Sequence, residues 1–330
     1  MRQAPVSNQG VQLRRRKFQP VLMLLLLAVL AVFGLAACGG DDDSSTSGNE
    51  QQPSSDQPGK GKPAVTLGTK DFTEEFVLGE LYTQALEAKG FKVNLKKNIG
   101  STEIIDKALT SGQIDGYPEY LGVSVAVVAR KNIVPKSDTQ TYDLAKSFYE
   151  KRGQTISQQT PFFDVDAIAT TKDFAQKNGL KTVADLKKLD SFTVGARPEF
   201  KDRFQGLKGM RSEYGLTNAK FKQLALGIQY QALDSGDVDS ANVFSTDAQL
   251  ASGKYTVLED PKGVFGYQHV AMVMDSKKND ALGPDFFGTI DAVSKLLTND
   301  AMISMNKAVA IDKQDEADVA KKFLQANNLL

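Results

Sequence analysis

Cysteine, histidine and tryptophan are nearly missing from this 330-residue chain, which has one Cys, one His and no Trp. A single thiol cannot close an internal disulfide, so Cys38 is a buried bystander, a partner for another chain, or a site of modification. His269 has no Cys or carboxylate cluster beside it in the sequence, so no metal site is expected. It should pack or hydrogen-bond at a strand start. There is no G-x-S-x-G segment, so nucleophilic catalysis lacks its usual parts. No glycine-rich phosphate loop of Walker or dinucleotide type is present either. These absences point away from an enzyme and from a bound cofactor. An excess of charge is lacking too, with 40 Lys and Arg against 40 Asp and Glu. Arg2, Arg14, Arg15, Arg16 and Lys17 fall in residues 1–37, which hold no acid, so the remainder has 35 bases against 40 acids. A mildly acidic domain has no basic stripe for nucleic acid.

Long apolar runs are also scarce. The single one, Val21 to Ala37, follows the basic cluster and carries no charge. A basic segment, an apolar stretch of about 17 residues and small residues at its end are what a secretion signal requires. Length alone leaves a retained helical anchor open. Leu35-Ala36-Ala37-Cys38 resembles the lipobox of bacterial lipoproteins, which implies cleavage after residue 37 and lipid attachment at Cys38. Both readings tether a domain to the outer face of a membrane. From Gly39 to about Lys62 there is no aromatic and no aliphatic residue, a composition that stays a solvated tether.

The stretch from Pro63 to Leu330 is long enough for two lobes. Short β-branched runs alternate in it with helical periodicity. Ala64 to Gly68 reads as a strand, Thr73-Glu74-Glu75 opens a helix, and Phe91 to Leu95 alternates as the next strand. Ser101-Thr102-Glu103 begins a helix that Gly112 stops. Strands recur at Ala167 to Thr170, Phe192 to Gly195, Phe221 to Leu224, Tyr255 to Leu258 and Val270 to Met274. Helices Pro284 to Thr298, Asp300 to Ala310 and Asp315 to Asn327 close the chain. This alternation predicts α/β layers with a mainly parallel sheet in each lobe.

One internal echo adds to the periodicity. Ala108-Leu109-Thr110-Ser111-Gly112-Gln113-Ile114-Asp115 parallels Ala232-Leu233-Asp234-Ser235-Gly236-Asp237-Val238-Asp239, and five residues beyond each Asp stands an aromatic, Tyr120 or Phe244. It is either a coincidence around a common helix-to-strand turn or the mark of two equivalent lobes. The second reading places one ring on each wall of a shared cleft, at the carboxyl ends of strands, where open α/β sheets bind ligands.

Four segments resemble the glycine betaine/carnitine/choline-binding lipoproteins of ABC importers. They are Gly68-Thr69-Lys70-Asp71-Phe72-Thr73-Glu74-Glu75, then Ile99-Gly100-Ser101-Thr102-Glu103-Ile104 with Ile114 to Tyr120, then Tyr230-Gln231-Ala232-Leu233, and Phe244-Ser245-Thr246-Asp247. The resemblance implies an α/β, two-lobed, periplasmic-binding-protein-like clamshell (type II) with a two-strand hinge. It sets the organisation as signal peptide 1–37, lipidated Cys38 and linker 38–63, lobe one 64–165, lobe two 166–267, and lobe one again 268–330. The crossings fall near Phe163 to Ala167 and Tyr267 to Val270. It implies no cofactor, a monomer held at the extracytoplasmic face through Cys38, a permease with a separate ATPase subunit, and a small quaternary-amine ligand.

A quaternary ammonium has no N–H, so aromatic faces suit it, at roughly 0.5 to 2 kcal/mol per ring. A ligand carboxylate needs basic side chains or the amides of a helix start. The resemblance carries Lys70 to the ligand's acidic end, Tyr120 and Phe244 to the ring cage, Thr246 either to a polar wall or to the cap of a helix at Asp247, and Arg203 to a position near the ligand. Asp71 is either beside Lys70 or a helix cap, and Tyr117 is either in the cage or packed under the loop. Two positions depart from the family. Asp166 stands where relatives place a cage Tyr, and near Tyr267-Gln268 the family's Tyr coincides with Gln268. An acid in the cage favours choline over zwitterions such as glycine betaine. The alternatives are an amino acid or polyamine held by Asp166, Lys70 and Arg203, and a surface sensor or adhesion lipoprotein using the same clamshell.

Overall fold

The computed structural model describes residues 57–330, so Cys38 and the apolar run before it lie outside the described residues. Lobe one opens with β1 (Val65–Gly68), α1 (Thr73–Ala88), β2 (Val93–Lys96), α2 (Thr102–Thr110), β3 (Gly116–Tyr120), α3 (Leu121–Val123), α4 (Asp138–Glu150) and β4 (Gln154–Ile156). Lobe two holds β5 (Asp166–Thr171), α5 (Lys172–Asn178), β6 (Phe192–Ala196), α6 (Leu207–Tyr214), β7 (Ala219–Gln223), α7 (Gln229–Asp234), β8 (Ser240–Phe244) and β9 (Tyr255–Leu258). The chain returns to lobe one with β10 (Val270–Asp275), α8 (Ser276–Leu282), α9 (Pro284–Ser294), α10 (Asn299–Ala310) and α11 (Glu316–Ala326). None of the described helices is long and apolar enough to cross a membrane.

Each lobe is built on a five-stranded sheet, ordered β2-β1-β3-β10-β4 and β7-β6-β8-β5-β9. Position by position these are the same sheet. They are mixed, however, and not mainly parallel. β1, β2 and β3 run together, as do β6, β7 and β8, but β10 and β5 lie antiparallel to both their neighbours. The reason is topological. A strand arriving from the other lobe enters at the cleft edge, where the parallel strands end, so it must run the opposite way. Its first residue therefore pairs with the last residue of a parallel strand, Val270 with Tyr120 and Asp166 with Phe244.

The sequence echo is this equivalence seen locally. Gly112 and Gly236 both sit at φ +73°, the left-handed conformation that glycine adopts without penalty at a helix end. Asp115 and Asp239 then each clamp the neighbouring strand. The Asp115 carboxylate accepts from Thr66 N–H at 2.7 Å, and that of Asp239 accepts from Thr193 N–H at 2.7 Å.

Apolar side chains fill both faces of each sheet. Val77, Leu78, Leu81 and Leu86 of α1 meet Phe286, Ile290, Met302 and Leu324 from the closing helices, while Ile105, Leu109, Tyr117 and Tyr149 pack on the other face. Burying each such side chain contributes roughly 1.5 to 3 kcal/mol. In lobe two, Phe192, Val194, Phe200, Met210 and Phe265 form one layer and Leu224, Leu233, Ala241 and Val243 the other.

The fold starts earlier than composition predicts. Gly59 is buried, and its N–H donates to Lys89 O at 2.9 Å. An added Cβ there would stand 2.3 Å from Phe91 N. The last residues of the expected tether thus form a turn on lobe one. Their contacts are made by backbone, which apolar content does not report.

Where the chain crosses between lobes, the two passages run side by side. Phe163 and His269 form an antiparallel bridge, Asp164 N–H donates to Gln268 O at 3.2 Å, and His269 Nδ1 lies 2.9 Å from Thr160 O. His269 thus sits at the entry to β10, hydrogen-bonded to the adjoining passage.

Candidate ligand-binding site

A cavity of about 430 Å³ lies between the lobes. The residues that follow each parallel strand line it: Lys70 to Phe72 after β1, Asn98, Ser101 and Thr102 after β2, Tyr120 at the end of β3, Arg197 to Glu199 after β6, Leu224 to Leu226 around the end of β7, and Phe244 at the end of β8. The crossing passages add Asp164, Asp166 and Gln268. This is the strand-end location at which α/β sheets leave backbone and side chains free for a ligand.

Three rings form a continuous wall. Phe72 stacks on Phe244 of the other lobe with centroids 5.7 Å apart and planes at 7°, and lies 5.9 Å from Tyr120 at 34°. Tyr120 and Phe244 are thus joined through Phe72. Cationic groups stand over two of these rings, with Lys70 Nζ 4.7 Å from the Tyr120 centroid and Arg197 Cζ 5.1 Å from that of Phe244.

Each base lining the cavity is held by an acid. Lys70 pairs with Glu119, whose carboxylate also takes Tyr120 N–H at 2.7 Å and Tyr117 hydroxyl at 3.2 Å. Arg197 grips Asp166 with two hydrogen bonds of 3.0 Å, and Asn242 adds a third at 2.9 Å. Arg203 reaches across the cleft to Glu103, with contacts of 2.8 and 3.2 Å.

Beside the wall lies a smaller cavity of about 90 Å³ that shares Phe72, Phe244, Asp164 and Leu226 with the larger one. Three acids line it. Glu74 of lobe one accepts from Thr246 hydroxyl of lobe two at 2.6 Å, from Tyr120 hydroxyl at 2.7 Å and from Asn306 at 2.8 Å. Asp164 takes Thr246 N–H at 3.1 Å, and Asp247 takes Tyr230 hydroxyl at 2.8 Å. Burial pushes the pKa of Glu74 up against those hydrogen bonds. It raises Asp164 well above the usual range, with Glu74 and Asp247 adding to the effect, and it raises Asp247 too.

Lys70, Asp71, Tyr120, Asp166, Arg203, Phe244 and Gln268, singled out from the sequence, all line the larger cavity. Three others lie elsewhere. Tyr117 is fully buried on the opposite face of β3, among Ile105, Leu109 and Tyr149, because it is an odd number of residues from Tyr120 and strands alternate their faces. Thr246 is buried at the smaller cavity as a donor to Glu74. Tyr267 is exposed, with its hydroxyl on Lys136 O at 3.1 Å, whereas Gln268 is buried and accepts Val123 N–H at 3.0 Å. Asp166 faces the cavity as expected, but the pair with Arg197 occupies its charge. The argument that Asp166 favours a cationic ligand therefore falls. Asp71 does not cap α1, whose first turn follows Phe72 without a side-chain cap.

Phe72 and Arg197 are wall residues that the internal echo does not mark. Phe72 lies in the segment Gly68 to Glu75 that resembles the family, and Arg197 follows the expected strand Phe192 to Gly195. Applying the strand-end rule to every strand, and not only to the echoed pair, would have found both.

Two equivalent α/β lobes, a paired crossing and a cleft lined by strand ends define a two-lobed solute-binding protein. Residues 63–326 match the substrate-binding domain of ABC-type glycine betaine transport systems, and the chain belongs to that family. Its role is accordingly the non-enzymatic one of a transporter's substrate-binding protein. Over 277 residues it is 30% identical to a glycine-betaine-binding protein of Pseudomonas aeruginosa, covering 80% of this chain and 88% of that one. It is 27% identical over 275 residues to the glycine betaine-binding protein YehZ of Escherichia coli, covering 79% and 90%. A solved structure described as a glycine betaine/carnitine/choline ABC transporter shares the fold, with a TM-score of 0.65 at 24% identity over 80% of this chain and 99% of that one.

Proposed function

We propose that this chain captures a small quaternary ammonium compound between its lobes and delivers it to a membrane permease driven by a separate ATPase subunit. The observation that carries this reading is the ring wall. Phe72 lies within 6 Å of both Tyr120 and Phe244, so aromatic surface from the two lobes meets at one edge of the cavity. A methylated cation is attracted to such faces without needing a hydrogen-bond partner. Contacts on both walls favour the closed arrangement, since a ligand shifts the population only by binding one state better than the other. Family membership supports this cargo over an amino acid or polyamine, and an importer over a sensor.

The remaining part of the proposal is attachment through lipid at Cys38, which places the domain on the extracytoplasmic face as a monomer. The basic cluster, the apolar run and Leu35-Ala36-Ala37-Cys38 support it. Calorimetric titration with choline, glycine betaine and carnitine, set against lysine and spermidine, tests the cargo. Heat from at least one quaternary amine and none from the others is expected, and the reverse pattern rejects the reading. Cys38→Ala should move the expressed protein out of the membrane fraction. Continued fractionation with membranes would reject the lipid anchor.

A further inference from the structure

Glu103 and Arg203 face each other from opposite lobes. Glu103 lies in the first turn of α2 and Arg203 follows β6, and the guanidinium holds the carboxylate in a fork, Nη2 to Oε2 at 2.8 Å and Nε to Oε1 at 3.2 Å. Ser101 hydroxyl donates to the same carboxylate at 2.8 Å, and the backbone N–H of Glu103 itself adds a further bond. Partial burial works against the charge, but Arg203 outweighs it, and the Glu103 pKa is held at about 2. The acid is therefore ionised at any physiological pH.

This pair differs from the other two in the cavity wall. Lys70–Glu119 and Arg197–Asp166 are sealed, with side-chain exposures of 5% and 0% and of 11% and 6%. Arg203 is 9% exposed, but its partner Glu103 is 47% exposed and can move into solvent. Arg203 is thus the base whose partner an incoming carboxylate could displace. A zwitterion that seats its carboxylate on Arg203 would have to expel Glu103, lose the inter-lobe contact and leave two carboxylates near one guanidinium. A ligand that is only a cation leaves the pair intact, and the pair then helps hold the lobes together. Asp71 and Glu199, which also line the cavity, have no ion-pair partner among the described residues. They add to the bias against a second negative charge.

We propose that Glu103 is a specificity-determining residue. It occupies the guanidinium that a ligand carboxylate would require, and so it biases the cleft towards quaternary ammonium alcohols over carboxylate-bearing zwitterions. This rests on the quaternary-amine reading above, and it makes Glu103 a built-in competitor for the guanidinium of Arg203.

Calorimetry on the wild type, Glu103→Gln and Glu103→Gln/Arg203→Gln, each with choline and glycine betaine, tests it. The wild type should bind choline at least tenfold more tightly. Glu103→Gln should narrow that gap at least tenfold through a gain in betaine affinity, and the double variant should lose the gain because the freed guanidinium is gone. A purely structural role for the pair would scale both affinities together. Wild-type protein that binds betaine as well as choline overturns the inference, as does a Glu103→Gln variant with an unchanged ratio. Failure of the wild type to bind either choline or glycine betaine overturns this inference, and failure to bind carnitine as well rejects the quaternary-amine reading itself.

Discussion

Phe72 is the residue on which the ring wall turns, because it alone touches the rings of both lobes. It is half-buried and has no polar group to leave unpaired, so Phe72→Ala should act mainly on the ligand. Losing one face costs about 0.5 to 2 kcal/mol, a weakening of about two- to thirtyfold in quaternary-amine affinity, with little change in thermal unfolding. Unaltered affinity would remove the wall from the site. Tyr120 is a poorer probe than its position in the sequence promises. The residue is 4% exposed and its hydroxyl donates to buried Glu74, so truncation to Ala should cost about 3 to 5 kcal/mol of stability. Sequence position marked Tyr120 as a ring at a strand end but said nothing of Glu74, which lies 46 residues away. Any loss of binding on Tyr120→Ala would therefore be confounded by unfolding.

At the scale of elements, the duplicated helix-turn-strand unit is what aims Tyr120 and Phe244. Its glycines at φ +73° set the exit angle from α2 and α7, and its aspartates tie β3 and β8 to the neighbouring strands. No heavy atom lies within 4 Å of a Cβ added at Gly112 or Gly236, so the cost of Ala at either is conformational. About 1 to 2 kcal/mol of stability should be lost in each variant, measured by chemical denaturation, with similar values in the two lobes and ligand affinity unchanged. Markedly unequal losses would argue against equivalent roles for the two turns. This unit was fully legible in the sequence, since helix stop, glycine turn and strand start are local signals. The antiparallel placement of β5 and β10 was not, because strand direction depends on the edge from which the chain enters a sheet.

The whole molecule carries an unusual load of buried acid, which fixes the sign of its pH response. Burial pushes Glu75 up to about 8, opposed by Lys70 and reinforced by Glu119 and Glu74. Glu74, Asp164, Asp247 and Glu119 are raised by burial as well. A carboxyl with a raised folded pKa stabilises fully below its unfolded pKa, near 4.5, and loses that contribution as pH climbs through the folded value. The lowered pKa values of Glu103 and Glu316 act in the other direction, but only as pH falls below about 4.5. Thermal unfolding should therefore occur at a higher temperature near pH 5.5 than near pH 8.5, and Glu75→Gln should flatten the difference. A midpoint that rises over this interval would contradict the burial of these groups.

The sequence by itself determined the alternation of strands and helices, the repeated helix-turn-strand unit, the strand-end positions of Lys70, Tyr120 and Phe244, and the family to which the chain belongs. All of these are written in short-range patterns, because periodicity, turn glycines and motif order involve residues near one another. Tertiary structure alone decided which charges neutralise which and which rings meet. Glu74 meets Thr246 across 172 residues, and Glu103 meets Arg203 across 100. The energy of a charge or a polar group depends on the atoms within a few ångströms of it, and lobe closure, which no local pattern encodes, chooses those atoms.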